Sequence, residues 1–232
     1  GMTKMPRILV LEGETGSGKS SLLKRITLDF FHSEDSSLVF KAVKEYEFLI
    51  YIDCCTNFPG NFEEWLCHSM TETLYSINTQ DAACATTNFK SLLLIDAIEK
   101  LDEQQMKLMK NILNHFMTNM NGTCIISGRP LFVHPLRKYL RKCGFDYAKC
   151  KILEMNEAND KISFLQKYEV ELLSSIGKNV LDAYGSLKED LRNAMTRPLS
   201  LVLFCSIQIN SPVSFRKWPD FPRNSQFNST FQ

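Results

Sequence analysis

Short apolar runs alternate along this chain with longer stretches in which apolar residues recur every three or four positions. Continuous apolar runs are typical of strands covered on both faces, whereas the three-to-four spacing predicts helices. Strands and helices that alternate in this way indicate an α/β fold with a parallel sheet between helical layers. The runs predict five strands, at Ile8–Leu11, Phe48–Ile52, Ser91–Ile95, Gly122–Ile126 and Cys150–Leu153, and Val39–Val43 is a candidate for an extra edge strand.

The helical periodicity falls into two groups along the chain. Between the strands it predicts helices at Lys19–Phe31, Phe62–Ser76 and Glu103–Met117. After Asn156 no strand pattern recurs, and the predicted helices are Asp160–Leu173, Ile176–Thr196 and Leu199–Ile209, the last opened by Pro198. We therefore expect an α/β domain over residues 2–155, a small helical subdomain over 156–210 and an irregular or disordered tail over 211–232.

The segment Gly13–Ser20 reads Gly-Glu-Thr-Gly-Ser-Gly-Lys-Ser and joins the first predicted strand to the first predicted helix. This pattern in this place is that of a P-loop, whose backbone N–H groups cradle a polyphosphate at the helix N-terminus. In such a loop Lys19 reaches the β- and γ-phosphates, and the Ser20 hydroxyl binds Mg²⁺. The sequence therefore predicts a P-loop NTPase fold, with three α/β/α layers around a parallel five-stranded sheet.

An acid, Asp96, follows the third predicted strand. A carboxylate at the end of a hydrophobic strand is the expected partner of a P-loop, because from there it holds Mg²⁺ through water or through Ser20. Glu99 is the candidate for the residue that orients or deprotonates an attacking water. The alternative for Glu99 is an ordinary negative charge near the N-terminus of the next helix, which is the role expected for Asp102 and Glu103.

An arginine follows the fourth predicted strand, in the sequence Ser127-Gly128-Arg129-Pro130. Ligands of open α/β sheets lie beyond the carboxyl ends of the strands. Arg129 is therefore placed where a guanidinium can sense the γ-phosphate. The alternative is a surface arginine in a glycine-proline turn.

Composition narrows the range of ligands and partners. The 232 residues carry a net charge of +1, which gives no bulk electrostatic reason to expect nucleic acid or an anionic membrane. No apolar run approaches the roughly 18 residues that a membrane span needs. Because the sequence has no Asn-Lys-x-Asp or Thr-Lys-x-Asp segment of the kind a guanine pocket uses, the expected ligands are ATP or ADP with Mg²⁺.

The eight cysteines include no Cys-x-x-Cys pair, so we expect no zinc site. Cys54, Cys124 and Cys205 lie in apolar segments and are predicted core residues. Unpaired thiols in a nucleotide-binding protein indicate a reducing compartment, and the expected location is cytoplasmic.

Four segments, in this order, resemble the NACHT domain of the STAND class of signal-transduction NTPases: Gly13–Ser20, Leu92–Glu99, Ile126–Pro130 and Arg197–Leu203. The stretch from Ile152 to Tyr168 is similar to the same family, and the resemblance covers about Arg7 to Ile209. It implies that Asp96 serves the magnesium, that Arg129 is the sensor arginine and that Pro198 packs near the nucleotide. The residues that it implies at the phosphates are Gly13, Glu14, Thr15, Gly16, Ser17, Gly18, Lys19, Ser20 and Ser21.

The resemblance also implies a switch, in which ADP holds a closed form and exchange for ATP permits opening and self-assembly with protein partners. The chain departs from the family pattern at Ala97, where glycine is usual, and at Lys100, where a second acid often stands. Glu99 would then have to support hydrolysis alone. The upstream part of the adenine pocket is expected to be short or missing, and the later subdomains to be absent, so we expect an isolated domain, a fragment or a short isoform.

These observations leave several functional hypotheses open. The leading one is an ATP/ADP-binding switch module with slow or negligible hydrolysis. A second is a competent AAA-like ATPase that uses Glu99 as base and a neighbour's arginine within an oligomer. A third is a non-catalytic interaction fragment whose pocket no longer holds nucleotide. Kinase activity is a weaker fourth, because no arginine-rich lid insertion is visible.

Overall fold

The structure is a computed structural model that describes residues 6–31, 43–56, 81, 88–172 and 180–210. Two compact units, Gly1–Leu153 and Glu154–Gln232, make up the chain. The predicted helix Phe62–Ser76 and the tail 211–232 lie outside the described residues, as does the candidate edge strand Val39–Val43 apart from Val43 itself.

The first unit is built on a parallel sheet of five strands in the order β2-β3-β4-β1-β5. The strands are β1 (Ile8–Glu12), β2 (Phe48–Asp53), β3 (Lys90–Asp96), β4 (Asn121–Gly128) and β5 (Tyr147–Lys151). The central strand β1 pairs with β4 on one side and β5 on the other, and its last residue, Glu12, lies beside Gly128 and Lys151. Because the strands are parallel, their carboxyl ends form a single edge, where α/β proteins bind ligands.

Helices cover both faces of this sheet, and alternate residues of β3 show the two interfaces. Leu92 and Leu94 pack in one cluster with Leu23, whereas Leu93 and Ile95 pack in the cluster on the opposite face. The helices are α1 (Lys19–Phe31) on the first face, and α2 (Glu103–Asn119) and α3 (Pro130–Lys142) on the second. The predicted three-layer α/β/α fold with a five-stranded parallel sheet is confirmed. Both faces of β3 bury aliphatic side chains, which is why the strand reads as one apolar run.

The fifth strand begins three residues earlier than predicted and ends two residues earlier. The residues that pair in register with β1 are Tyr147–Lys151, so only Cys150 and Lys151 of the predicted strand belong to it, and Leu153 is 76% exposed. In the described sheet β5 has a neighbour on one side only. Lysines on an edge strand discourage pairing with other chains. The observed strand therefore carries two lysines, Lys149 and Lys151, and only Lys151 falls within the predicted run.

Helix α3 connects β4 to β5, in a segment for which the sequence pattern predicts no helix. Its buried face consists of Val133, Leu136 and Leu140 at the three-to-four spacing, and Pro130 opens the helix. Pro135 lies inside the helix, where a proline ordinarily interrupts the hydrogen-bond ladder, and it conceals this periodicity. The helix matters for the site because it begins directly after Arg129.

The second unit is helical in its described part. Its elements are a π-helical turn (Glu157–Lys161) and the helices α4 (Ile162–Leu172), α5 (Val180–Gly185), α6 (Glu189–Ala194) and α7 (Pro198–Asn210). Its core is formed by Leu165, Val180, Tyr184, Leu201, Phe204 and Cys205. The prediction of one helix over Ile176–Thr196 is wrong within the described residues, because the chain turns after Gly185. There the Ser186 hydroxyl bonds to the Asp182 carbonyl oxygen at 2.8 Å.

The predicted burial of three cysteines is confirmed, since Cys54, Cys124 and Cys205 are at most 4% exposed. None of the helices in the described part of the chain combines the length and the apolar character that crossing a membrane requires.

The start of α2 gives a prediction about stability. The Asp102 side chain accepts the Gln105 backbone N–H at 2.8 Å, and the Gln105 side chain accepts the Asp102 N–H at 3.0 Å. This reciprocal cap satisfies two first-turn donors. We expect Asp102→Ala to lower the free energy of unfolding by about 1 kcal/mol, measured by urea denaturation. Asp102→Asn, which keeps a capping oxygen, should lose less, and an equal loss in both variants would contradict the capping role.

Candidate phosphate-binding site

The loop between β1 and α1 is tightly curled. Gly16 and Gly18 have φ angles of 76° and 95°, in the left-handed region that favours glycine. A Cβ on Gly13 would lie 2.5 Å from Ser17 Oγ, and the Gly13 N–H donates to the Gly128 carbonyl oxygen at 3.3 Å. The buried Ser17 hydroxyl has no hydrogen-bond partner among the described residues. The loop therefore offers an orphaned hydroxyl beside the first-turn amides of α1, which the helix itself leaves without partners.

Lys19 is the cation of this loop. It is 7% exposed, and its Nζ donates to the carbonyl oxygens of Gly13 at 2.7 Å and Glu14 at 3.0 Å. Burial lowers the pKa of Lys19; the Glu99 carboxylate opposes this decrease, and the Arg129 guanidinium adds to it. Asp96 also acts on the same ammonium group. The fold thus brings the predicted loop lysine, the acids after β3 and the arginine after β4 within electrostatic range of one another.

Asp96, the last residue of β3, is 3% exposed and accepts hydrogen bonds from two hydroxyl groups. Tyr51 OH donates to Asp96 Oδ2 at 3.0 Å, and Ser127 Oγ donates to Oδ1. Burial, followed by the Asp96 carboxylate, raises the pKa of the Tyr51 hydroxyl, which therefore keeps its proton at neutral pH. The two donors fix the orientation of Asp96 at the carboxyl edge of the sheet and leave lone pairs on both oxygens for a further ligand.

Ala97 adopts a left-handed conformation, with φ 60° and ψ 51°. Its N–H donates to Ser127 Oγ at 3.0 Å, which ties this turn to β4. The left-handed region costs a residue with a Cβ about 1–2 kcal/mol. The conformation gives the physical reason why glycine is the usual residue at this place in the family pattern.

Glu99 and Arg129 contact each other. Arg129 Nε lies 3.5 Å from Glu99 Oε1, and the Arg129 backbone N–H donates to Glu99 Oε2 at 3.3 Å. Glu99 belongs to a short 3₁₀ turn, Ile98–Lys100, that precedes α2, so it is not a first-turn charge of that helix. Arg129 is the residue immediately before α3. The residues predicted as base and sensor are therefore direct partners.

Three residues near the site, Tyr51, Ser127 and Glu12, are not predicted from the sequence, and the last two of them are buried. Tyr51 and Ser127 carry no local signal, because only the pairing of strands brings their hydroxyls to Asp96. Glu12 does have a local sequence signal, because it is a charged residue that ends an apolar strand and immediately precedes the loop. It is 2% exposed and forms ion pairs with Arg137 and Lys149.

Pro198 belongs to the second unit. It opens α7, and the carbonyl oxygen of the preceding Arg197 accepts the Ser200 hydroxyl at 2.6 Å. These contacts account for the start of the helix. The role of Pro198 beside a nucleotide remains a prediction from the family pattern.

The residues present fit a nucleotide phosphate tail with Mg²⁺. Loop amides, the Lys19 ammonium group and the Arg129 guanidinium are the donors that bind phosphate oxygens. The Ser20 hydroxyl in the first turn of α1 and the Asp96 carboxylate are hard oxygen ligands of the kind Mg²⁺ prefers. When bound, the ion supplies positive charge that neutralises the phosphates.

Three comparisons with known proteins place the chain among its relatives, and the family model is the one that identifies its family. A comparison of the chain with curated proteins found no match. Among solved structures, the chain is similar to AMPPCP-bound DnaA from Aquifex aeolicus, with 16% identity and a TM-score of 0.43 over 90% of this chain and 60% of that one. It is similar to Cdc6p from Pyrobaculum aerophilum, with 12% identity and a TM-score of 0.45 over 88% of this chain and 56% of that one. The chain thus spans less than two thirds of the length of these structures. The NACHT domain matches residues 7–171, and the chain therefore belongs to the NACHT family.

Proposed function

We propose that this chain is an ATP/ADP-binding switch module of the NACHT type, with slow or absent hydrolysis. The observation that carries this proposal is the loop Gly13–Ser20, in which two left-handed glycines, an orphaned hydroxyl and a buried ammonium group converge. Family membership supports the same class of ligand.

The proposed roles follow from the chemistry of each group. Backbone amides of Gly13–Ser21 hold the phosphates, and Lys19 leaves its two carbonyl partners to bind the β- and γ-phosphates. Ser20 and Asp96 hold Mg²⁺, with Tyr51 and Ser127 orienting Asp96. We also propose that Pro198 packs near the nucleotide, and the support for this role is the family pattern alone.

Slow hydrolysis is supported by the surroundings of Glu99. Both of its carboxylate oxygens face Arg129: Oε2 accepts the backbone N–H at 3.3 Å, and Oε1 lies 3.5 Å from the guanidinium Nε, so the proposed base already has partners. Lys100 follows where the family often has a second acid. To accept a proton from an attacking water, Glu99 would have to leave these contacts with Arg129.

Switching is supported by the position of Arg129. Its guanidinium can pair with Glu99 or with a γ-phosphate, and a ligand shifts a conformational equilibrium only through such differential contacts. ATP offers this second anionic partner and ADP does not, so the two nucleotides favour different arrangements of the residues around Arg129.

We propose in addition that the nucleotide state controls self-assembly or binding of protein partners. The helices after Glu154 act as the helical subdomain of this switch. A cytoplasmic location is supported by the thiols of Cys54 and Cys124, which form no disulfide.

Thermal unfolding with nucleotide tests this proposal. A ligand that binds only the native state stabilises it by about 2.7 kcal/mol at a hundred times its Kd, so ATP or ADP with Mg²⁺ should raise the Tm. Adenosine, which lacks the phosphates, should leave the Tm nearly unchanged, and GTP should act more weakly than ATP. Chromatography of nucleotide released on denaturing the purified protein identifies the resident ligand.

The competing functions give different results in the same assays. A Tm that ATP and ADP leave unchanged would support the non-catalytic interaction fragment. Rapid steady-state hydrolysis by a nucleotide-dependent oligomer, lost in Glu99→Gln, would support the competent ATPase.

A further inference from the structure

Glu12 is the last residue of β1 and stands immediately before Gly13, the first residue of the phosphate loop. It is 2% exposed. A carboxylate is costly to bury unless it is paired, and none of the roles proposed above uses this one.

Each carboxylate oxygen of Glu12 faces a cation from a different element. Arg137 Nη1 of α3 lies 3.2 Å from Oε1, and Lys149 Nζ of β5 lies 2.9 Å from Oε2. The Arg137 side chain is 19% exposed and the Lys149 side chain 48%. Solvent screens the Lys149 pair more. The Arg137 contact is an ion pair without a hydrogen bond to Oε1, and it is the contact by which Glu12 reaches α3.

Helix α3 connects this ion pair to Arg129. Arg129 immediately precedes the helix, and Arg137 lies about two turns further along, roughly 12 Å at the helical rise. The start of the helix is tightly packed, since a Cβ on Gly128 would lie 2.9 Å from Val133 Cγ2 and 2.6 Å from Ile98 Cγ1. The position of Arg129 relative to the loop therefore depends on where Arg137 is held.

We propose that Glu12 is a positioning residue for recognition of the γ-phosphate. By binding Arg137 it fixes α3, and through α3 the Arg129 guanidinium, against the loop that begins one residue after Glu12. It thereby sets the preference of the site for triphosphate over diphosphate. This inference rests on the proposed function of the loop and of Arg129. A buried ion pair adds little net stability over apolar residues of similar size, so a geometric role accounts better for a charge at this position.

The experiment compares the affinities for ADP and for AMPPCP, a non-hydrolysable ATP analogue, both with Mg²⁺, by isothermal titration calorimetry. In Glu12→Gln and Arg137→Met the affinity for AMPPCP should fall about tenfold, and that for ADP less than about threefold, because a misplaced group weakens only the contact it makes. Arg137→Lys keeps the charge and should restore part of the preference. Thermal unfolding of each variant without nucleotide establishes that it folds.

Lys149→Met is the matched control. It removes one cation from the same carboxylate, but β5 does not carry Arg129, so the preference for AMPPCP should stay within about twofold of wild type. Arg129→Ala is the positive control and should abolish the preference while retaining ADP binding.

The outcomes separate this inference from the proposed function. A wild-type protein that binds neither nucleotide overturns both. A wild-type preference that Arg129→Ala removes, but that Glu12→Gln and Arg137→Met retain, leaves the proposed function standing and overturns the inference. Equal losses for ADP and AMPPCP, or the same loss in Lys149→Met, would give Glu12 a purely structural role and also overturn it.

Discussion

Replacing Lys19 by alanine is expected to lower the affinity for both ATP and ADP by at least about a hundredfold. Removing one charged partner from a buried charge pair costs about 2–5 kcal/mol, and about 2.7 kcal/mol corresponds to a hundredfold change in Kd. Lys19 is buried, and its ammonium group is turned into the loop between the carbonyl oxygens of Gly13 and Glu14. Both nucleotides should be affected, because the β-phosphate is common to them.

Titration calorimetry with ADP and with ATP measures this effect. Lys24→Ala is the matched control, since Lys24 lies on the same helix with an exposed side chain and should bind nucleotide as wild type does. The apo protein should also lose some stability in Lys19→Ala, because two hydrogen bonds to the loop disappear. A folded Lys19→Ala protein with wild-type affinity would remove the basis of the proposed phosphate site.

The second large effect is expected for Asp96→Asn. This change keeps the shape of the side chain and removes the negative charge, so Mg²⁺ should no longer raise the affinity for ATP. The amide also places an N–H₂ group against one of the two hydroxyl donors, Tyr51 or Ser127. A buried donor without an acceptor costs about 1–3 kcal/mol, and the Tm should fall accordingly.

Measuring the affinity for ATP in Mg²⁺ and again in EDTA separates the contribution of the metal to binding from the loss of stability that the substitution causes. Asp102→Ala serves as the control, because it weakens a helix cap near Asp96 and should leave the effect of Mg²⁺ intact. If Asp96→Asn binds ATP with the wild-type dependence on Mg²⁺, another group holds the metal and the role of Asp96 is wrong.

The parts of the site that the sequence predicts are those encoded locally. Gly13–Ser20 carries its own conformation, because glycines stand where left-handed angles occur and a helix follows at once. Asp96 is recognisable because a carboxylate ends an apolar strand. The layers of the fold are predictable for a similar reason, since strands buried on both faces have to be apolar throughout.

The parts that escape prediction depend on pairing between distant segments. Tyr51 and Ser127 meet Asp96 only because β2, β3 and β4 are neighbours in the sheet. The edge strand β5 has no apolar pattern, because it has one neighbour in the described sheet. Helix α3 is hidden by an internal proline, and with it the connection from Arg129 to Arg137 and Glu12.

The order of the strands sets the distance between the end of β1, where the phosphate loop begins, and the end of β3, which carries Asp96. Strand β4 lies between β1 and β3, and adjacent strands are about 4.8 Å apart, so the ends of β1 and β3 stand roughly 10 Å from each other. Near the end of β4 lies the fully buried Ser127, whose hydroxyl donates to the Asp96 carboxylate and accepts the Ala97 N–H. A side chain without a hydroxyl at position 127 would leave both of these groups without this partner, so this one residue joins the ends of β3 and β4 at the edge where ligands bind.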